Sequence, residues 1–440
     1  MEKRALASLA WMWLGIAIFW GCENAFVAMY FSNPLINPDT NSVGFFVSIL
    51  VALSAIANVI GMWISGPASD ACRSKLGRRK PYIILGGVLS GSIMMLFPIV
   101  KLFPTTMDKL IAAIIIDCSM SFCGDLLTGP RFALLIEITT PNERATVNGI
   151  LNIPNMVGMA FPVVIAGLST SIVFMDSFFY IGGTVIIVST VTSTLFIKEP
   201  PVCEQQGTFR EYFRKAFSMV NYRKNKAFYR SLVGVALLAM GGCVFYPFLL
   251  PFITYYVNIS GLTFVISVGS ILLISVAVQI PLGKISDKHG RRSIFKILLP
   301  LGTILLASVY FIQPGAFLLL VLIGGPAITL YFSLKILVQA WMEDLCPADQ
   351  KATMFIYNTI ADVLMMAPGA LIGGLLLFAI NQGPYHPIIF VAGAAIMASS
   401  LFIFIKTPDT IKKQGGKSEI IFKGGLSTDY HNLYDDKNIT

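Results

Sequence analysis

The chain predicts an all-α membrane protein with twelve transmembrane helices in two pseudo-symmetric six-helix bundles. Three observations carry that prediction. First, only 12% of its 440 residues are charged and 55% are hydrophobic, against about 25% charged in a soluble domain. There is no charged surface to wrap an ordinary core. Second, the apolar residues gather in runs of about 18 or more, enough to cross roughly 30 Å of hydrocarbon. None shows the period-two alternation of a barrel strand. Third, two short polar loops occur twice, at matching places in the two halves.

The spans fall near 5–31, 43–66, 82–102, 109–137, 144–168, 176–197, 229–257, 261–283, 293–313, 316–344, 352–380 and 386–406. The first follows Lys3 and Arg4 like a secretory signal. It runs past Phe26 without a small-residue cleavage site, so it is read as a retained anchor. The second ends at Gly66, where "SGPASDACRSKLGRRKPYI" begins, and the third starts at that loop's far end. The fourth carries Asp117, Asp125 and Arg131, with a Gly129-Pro130 step that favours a kink. Pro154 and Pro162 interrupt the fifth. The sixth stops at "KEPPVCEQQG", which opens a polar linker over 198–228. Pro247 and Pro251 sit in the seventh, and the eighth ends at "PLGKISDKHGRRSIF". The ninth follows at 293–313, the tenth holds Lys335, and the eleventh holds Asp362 and Pro368. The twelfth ends at Lys406, before a polar tail, 407–440, whose composition predicts disorder. The bundles are thus expected at 1–197 and 229–406.

Charge sets the orientation. Of the 32 Lys and Arg residues, only Lys101 and Lys109 fall on one set of loops, and Arg131 and Lys335 lie inside spans. Every other base is on the opposite side or the termini. Cytoplasmic loops hold the Lys/Arg excess, so both termini are expected in the cytoplasm of a multi-pass cell-membrane protein. The net charge of +9 is therefore an orientation signal. It is no nucleic-acid patch, because the bases sit on short inter-helix loops. The seven cysteines form no CxxC pair, so no disulfide framework or zinc site is expected. "GGKS" in the tail would place the first glycine of a phosphate loop at Ile411, which excludes an ATPase motif. With three histidines and no nucleophile or metal motif, the chain is not read as an enzyme, and no cofactor is expected.

The repeated loops are specific. Gly66, Asp70, Gly77, Arg78 and Arg79 answer to Gly283, Asp287, Gly290, Arg291 and Arg292. "LIEITTPNERAT" at 135–146 answers to "WMEDLCPADQKAT" at 341–353, which pairs Glu137 with Glu343 and Pro141 with Pro347. Internal duplication is how many secondary transporters are built, with the substrate near the midplane between repeats. Gly-x-x-x-Asp followed by Gly-Arg-Arg resembles the signature loop of the major facilitator superfamily. The longer copy, with "GPRFALLIE" at 129–137, resembles more narrowly the glycoside–pentoside–hexuronide:cation symporters and the sucrose–proton symporters. Their Gly-Pro-x-Arg-Ala-Leu-Leu-x-Asp is matched with Arg131 one place early, Phe132 in the family arginine's place, and Glu137 for the acid. One helical residue is about 100° of rotation.

The residues alone put Asp70 and Asp287 near helix N-termini, which favour anions, and let Arg78 and Arg291 reach Glu137 and Glu343. The resemblance implies that this network is a latch holding the halves together on the cytoplasmic side. It also implies that spans one, four, seven and ten line a central cavity. Five of the six ionisable residues well inside spans fall on those four: Glu23, Asp117, Asp125, Arg131 and Lys335. Such residues cost roughly 2.5–3.5 kcal/mol on insertion scales, so they mark function. Asp125 and Glu23 lie near one level, about 18 Å from the cytoplasmic ends. Carboxylates crowded in a poorly hydrated site do not all ionise easily, which suits Glu23, Asp125 and Asp117 to proton coupling. Lys335 and Asp362 are close in height and are expected to form an intramembrane ion pair.

Trp20, Asn24, Asn58, Arg131, Asn152, Tyr246, Gln339 and Asn358 are the candidate solute contacts, since sugars are held by amides, charges and an aromatic face. The expected activity is proton-coupled symport of a sugar or glycoside by a monomer in the lipid bilayer, with sodium as the other coupling ion. The rivals are an exporter of amphiphilic compounds working by proton antiport and a solute sensor of the same fold. The exporter's helix-five pattern is matched by Gly149 and Gly158 but broken at Pro162.

Overall fold

The computed structural model describes residues 3–39, 41–139, 141–199, 226–345, 351–380, 385–409, 411–414 and 417–420. Twelve helical passes follow in order. The first half holds α1 (Lys3–Ser32), α2 (Val43–Asp70), α3 (Lys80–Met95, then a tight turn Phe97–Leu102), α4 (Thr106–Leu126 and Thr128–Ile138), α5 (Pro141–Ile165, then Ala166–Leu168) and α6 (Ile172–Phe196). The second holds α7 (Lys226–Phe245, continued to Phe252–Tyr256), α8 (Gly261–His289), α9 (Arg291–Ser308, then Val309–Phe311), α10 (Phe317–Leu319, Leu320–Gly324 and Gly325–Leu345), α11 (Lys351–Leu364 and Met366–Ile380) and α12 (Ile388–Phe404). Eleven are long and apolar enough to cross a membrane. The shorter α12, with 17 residues, extends about 25 Å at 1.5 Å per residue.

Proline shapes the interruptions. Pro130 has no N–H for the Leu126 carbonyl, and α4 is broken at Leu127. Pro368 does the same to the Leu364 carbonyl, and α11 is broken at Met365. In α7, Pro247 and Pro251 precede a wide turn over Phe252–Tyr256, and α10 has such a turn over Leu320–Gly324. Wide turns of this kind are rare and concentrate at functional sites.

Two helices run further than hydropathy predicts. α2 continues past Gly66 to Asp70, and α8 continues past Gly283 to His289. Outside hydrocarbon a helix needs no apolar residues, so the hydrophobic run ends before the helix does. The glycine that stops α8 is Gly290, at φ +92°. In the tail, where disorder is expected, Ile411–Gln414 pairs antiparallel with Lys417–Ile420. Most of the predicted linker, 200–225, and the tail beyond 420 lie outside the described residues.

Packing repeats with a shift of six helices. α1 packs on α5 and α6, α2 and α3 on α4, and α3 on α6. Likewise α7 packs on α11 and α12, α8 and α9 on α10, and α9 on α12. Between the halves α2 lies along α11, α5 meets α8, and α1 meets α7. The close approaches cluster toward the end bearing Lys101 and Lys109. The Ser32 and Tyr385 hydroxyls pair there, with Tyr385 at φ +66° and packed on Phe248 and Tyr255. Ala52, Ala55 and Ala367 form a small cluster on the α2–α11 seam. A β-carbon on Gly374 would lie 2.2 Å from Ser48 Oγ and 2.7 Å from the Gly44 carbonyl. That seam needs small residues, as in other lipid-embedded helix pairs. Replacing Gly374→Val should therefore destabilise the closed end by about 1–3 kcal/mol. The change reads out as a lower melting temperature of the purified protein, with Leu375→Val, on an exposed side chain, as the control.

Candidate functional site

The midspan ionisable residues Glu23, Asp117, Asp125 and Arg131 converge on one seam between α1 and α4, with α2 alongside. At its inner end the Arg131 guanidinium lies 5.3 Å from the centre of the Trp13 ring and 4.8 Å from that of Phe132. Those two rings meet edge to face at 6.0 Å. About two turns further along both helices, the partly buried Trp20 leans on α4 at Gly124, where a β-carbon would come within 3.1 Å of the indole. A larger residue at 124 would displace that ring.

Above Trp20 lie the acids. Ser121 Oγ donates to Glu23 Oε1 at 3.0 Å. Asp117 is 2% exposed, with the Ser54 side chain of α2 nearby. Asp117 and Asp125 both lie within electrostatic reach of Glu23. Asp125 is held by neutral donors: Thr128 Oγ1 at 2.7 Å to Oδ1 and the Asn58 amide nitrogen at 3.1 Å to Oδ2. The same amide reaches the Ser121 carbonyl at 3.0 Å. Glu23 Oε2, Asp117 Oδ1, Arg131 Nε and Arg131 Nη1 are buried without a hydrogen-bond partner. Such atoms are costly, at about 1–3 kcal/mol each, and native structures hold few of them.

In the second half, Lys335 Nζ lies 2.9 Å from Asp362 Oδ2, with each side chain about a third exposed (35% and 33%). Tyr246 is edge-on to Phe332 at 6.3 Å, and Tyr246 and Tyr331 are electrostatic neighbours of Lys335. Asn358 is partly buried, and its Oδ1 has no partner. Gln339 is exposed on α10. Asn24 returns its amide to the Trp20 carbonyl at 2.7 Å, and the exposed Asn152 donates to Met156 Sδ at 3.5 Å. The structure thus gathers Trp20, Glu23, Asn58, Asp117, Asp125 and Arg131 into one seam. Tyr246, Lys335 and Asp362 form a second group on α7, α10 and α11.

The inner loops form two capped networks. In the first, Arg79 is only 5% exposed. It pairs with Asp70 at 2.6 Å and Glu137 at 2.8 Å, and donates to Ser69 Oγ at 2.6 Å. Arg78 also pairs with Glu137. The Glu199 carboxylate accepts the backbone N–H groups of Arg78 at 2.6 Å, Arg79 at 3.1 Å and Lys80 at 2.7 Å, so it caps α3 from the end of α6. Gly77, at φ +108°, makes room, since a β-carbon there would sit 2.4 Å from Glu199 Oε2. The second half repeats the device. Asp409, after α12, accepts the Arg291 N–H at 3.1 Å beside Gly290. Arg291 Nε pairs with Asp344 at 2.5 Å.

The described ion pair of Arg291 is with Asp344; the side chains of the expected partner Glu343 and of Asp287 lie outside the described residues. Each of these ion pairs joins residues of one half. Glu199 and Asp409 were not among the sequence candidates. Their signal is a third repeat, "FIKEP" at 196–200 and "FIKTPD" at 404–409. Ser54, Ser121 and Thr128 also escaped notice, because hydroxyls in membrane helices usually bond their own backbone.

Twelve duplicated helices around buried charges define a membrane transporter. The profile of the Major Facilitator Superfamily matches residues 6–370, and the chain belongs to that superfamily. It is a transporter, not an enzyme. Its fold is similar to a mutant of the nucleoside transporter NupG, with a TM-score of 0.70 at 14% identity over 92% of this chain and 99% of that one. It is also similar to a D-xylose-proton symporter, at 0.67 and 12% identity over 94% and 99%. A bacterial homologue of the human lysosomal transporter Spinster, inward-facing and unoccupied, aligns at 0.62 and 15% over 92% and 96%. No curated protein sequence matches the chain.

Because Glu199 caps three N–H groups, Glu199→Ala should cost about 1–2 kcal/mol of stability. The melting temperature of the purified variant checks this.

Proposed function

We propose that the protein is a cell-membrane symporter that uses a proton gradient to accumulate a small, sugar-like solute by alternating access, with both termini in the cytoplasm. The observation that carries this reading is the pair of orphaned acid oxygens, Glu23 Oε2 and Asp117 Oδ1, on buried carboxylates within electrostatic reach of one another. A proton bound there neutralises charge before the site passes through a state closed at both ends, where unhydrated charge is most costly. Asp125, already bonded by Thr128 and Asn58, connects this dyad to the level of Trp20.

The solute would lie against the Trp20 ring, with Asn24, Asn58, Asn152 and Arg131 reaching it from the first half. Tyr246, Gln339 and Asn358 would reach it from the second. The Lys335–Asp362 pair supplies a neutral charged floor on the second half. The inner-loop networks stiffen each half so that it moves as a unit. The xylose-proton symporter among the structural neighbours, and the resemblance to the glycoside–pentoside–hexuronide group, favour a polyhydroxylated solute and monomeric action.

Reconstituted vesicles with an acidic exterior and a labelled-sugar panel test this. The expected result is gradient-driven accumulation that does not need sodium. Glu23→Gln should abolish accumulation while leaving solute counterflow within about twofold of wild type, as a lost driving force without a lost pathway requires. Normal accumulation by Glu23→Gln would remove the coupling site. Accumulation that follows sodium, or efflux against an inward proton flow, would replace the mode of transport.

A further inference from the structure

The structure assigns a partner to the loop between α2 and α3: an anionic phospholipid, its phosphate held by Arg73 and Lys75 and its acyl region met by Leu76. This surface is separate from the α1–α4 seam. The two copies of the repeated loop share an Asp, a Gly and an Arg-Arg pair, and the first copy uses these residues to hold its own shape. Arg79 pairs with Asp70 and Glu137, Arg78 pairs with Glu137, and Gly77 makes room for Glu199. What is left over is an insertion. Six residues separate Asp70 from Gly77, while two separate Asp287 from Gly290. In the short copy α8 runs on to His289. In the long copy α2 stops at Asp70, and a turn closes where the Gly77 N–H donates to the Ser74 carbonyl at 3.1 Å and the Leu76 N–H to Ser74 Oγ at 3.2 Å. That turn carries Lys75 and Leu76 at its tip. Arg73 and Lys75 are exposed, and among the described residues no carboxylate pairs with either. Leu76 is 65% exposed. Membrane orientation needs positive charge on this side, but it gives no reason for a bare leucine beside the bases.

The surroundings of the loop decide the partner. α3 packs on α6, and Glu199 bonds the start of α3 to the end of α6. Just short of these ends both helices bear exposed apolar side chains, Leu85 and Leu89 on α3 and Leu195 and Phe196 on α6. Lys80 and the exposed Lys198 stand immediately beyond them. Exposed apolar residues followed within a few positions by bases mark where a helix leaves the hydrocarbon and enters the headgroup layer. The loop therefore stands at the level of lipid phosphate. Arg73 brings a planar fork that matches phosphate oxygens, and Lys75 a point charge. Charge attraction and apolar insertion add in binding to an anionic bilayer surface. A soluble acidic partner would use the two bases and leave Leu76 in water, whereas a lipid uses all three.

The test uses the purified full-length protein in neutral detergent, titrated with phosphatidylglycerol or with phosphatidylcholine of the same acyl chains. Binding is read by native mass spectrometry and by thermal shift. Phosphatidylglycerol should bind about tenfold or more tightly, and its stabilising effect should shrink as salt rises. Arg73→Gln combined with Lys75→Gln should cut that preference by about fivefold or more. Arg78, Arg79 and Lys80 remain in this variant, so the ion pairs of the loop are kept. Arg73→Gln alone should fall between, and it decides if the double variant does not fold. Lys288→Gln combined with Lys296→Gln, two exposed bases at the short copy, should change the preference by less than about twofold, since the site is local. Leu76→Ser should weaken both lipids by a similar factor. Inorganic phosphate should not displace phosphatidylglycerol. The proposal is overturned if phosphatidylglycerol does not outbind phosphatidylcholine, if the preference survives loss of Arg73 and Lys75, or if the Lys288 and Lys296 changes lower it as much. It is equally overturned if Leu76→Ser leaves both lipids unchanged, or if inorganic phosphate competes, which would make the site one for the free anion. No residue of the solute seam takes part, so this outcome and that of the uptake assay are independent.

Discussion

A carboxylate cut off from water must find its donors on neighbouring helices, and that requirement organises the first half. Glu23 on α1 is held by Ser121 on α4, and Asp125 on α4 by Asn58 on α2. Each bond crosses between helices, so three passes are registered against one another by the polar groups they bury. The lipid offers no hydrophobic drive for helices to associate, which makes such crossings and close backbone approach the available adhesives. A half fastened in this way has its helices fixed in register by the polar groups they bury.

The two halves share a plan without sharing a chemistry. Helix neighbours, positive-φ glycines and carboxylate caps recur six helices on. The midspan charges do not. The first half buries three acids and a guanidinium, while the second holds one closed lysine–aspartate pair. Duplication thus supplied the scaffold, and divergence of a few side chains set the midspan chemistry of the two halves apart.

Most of the scaffold was legible in the sequence because bilayer thickness dictates run length, and all twelve passes were found. The breaks in α4 and α11 were legible where proline removes a donor. Helix ends were not, since hydropathy stops at the edge of the hydrocarbon and α8 does not. Partner choice was also out of reach. The pairing of Arg291 with Asp344 could not be read from spacing, since it depends on the rotation of α10. Glu199 lies far along the chain from the helix it caps, although its repeat at Asp409 was there to be read. Glu23, Asp117 and Asp125 could be named from burial cost alone. That Asp125 is the satisfied member of the three could not, because the donors Thr128 and Asn58 are ordinary residues until they are seen beside it.

Tyr385 carries one more consequence. A bulky side chain in left-handed backbone is a stressed arrangement, tolerated here because its ring is buried among aromatics and its hydroxyl grips Ser32 across the divide. The rings that hold this backbone, Phe248 and Tyr255, belong to the second half, so the tyrosine is set in place by its own half and Ser32 meets a hydroxyl already positioned for it.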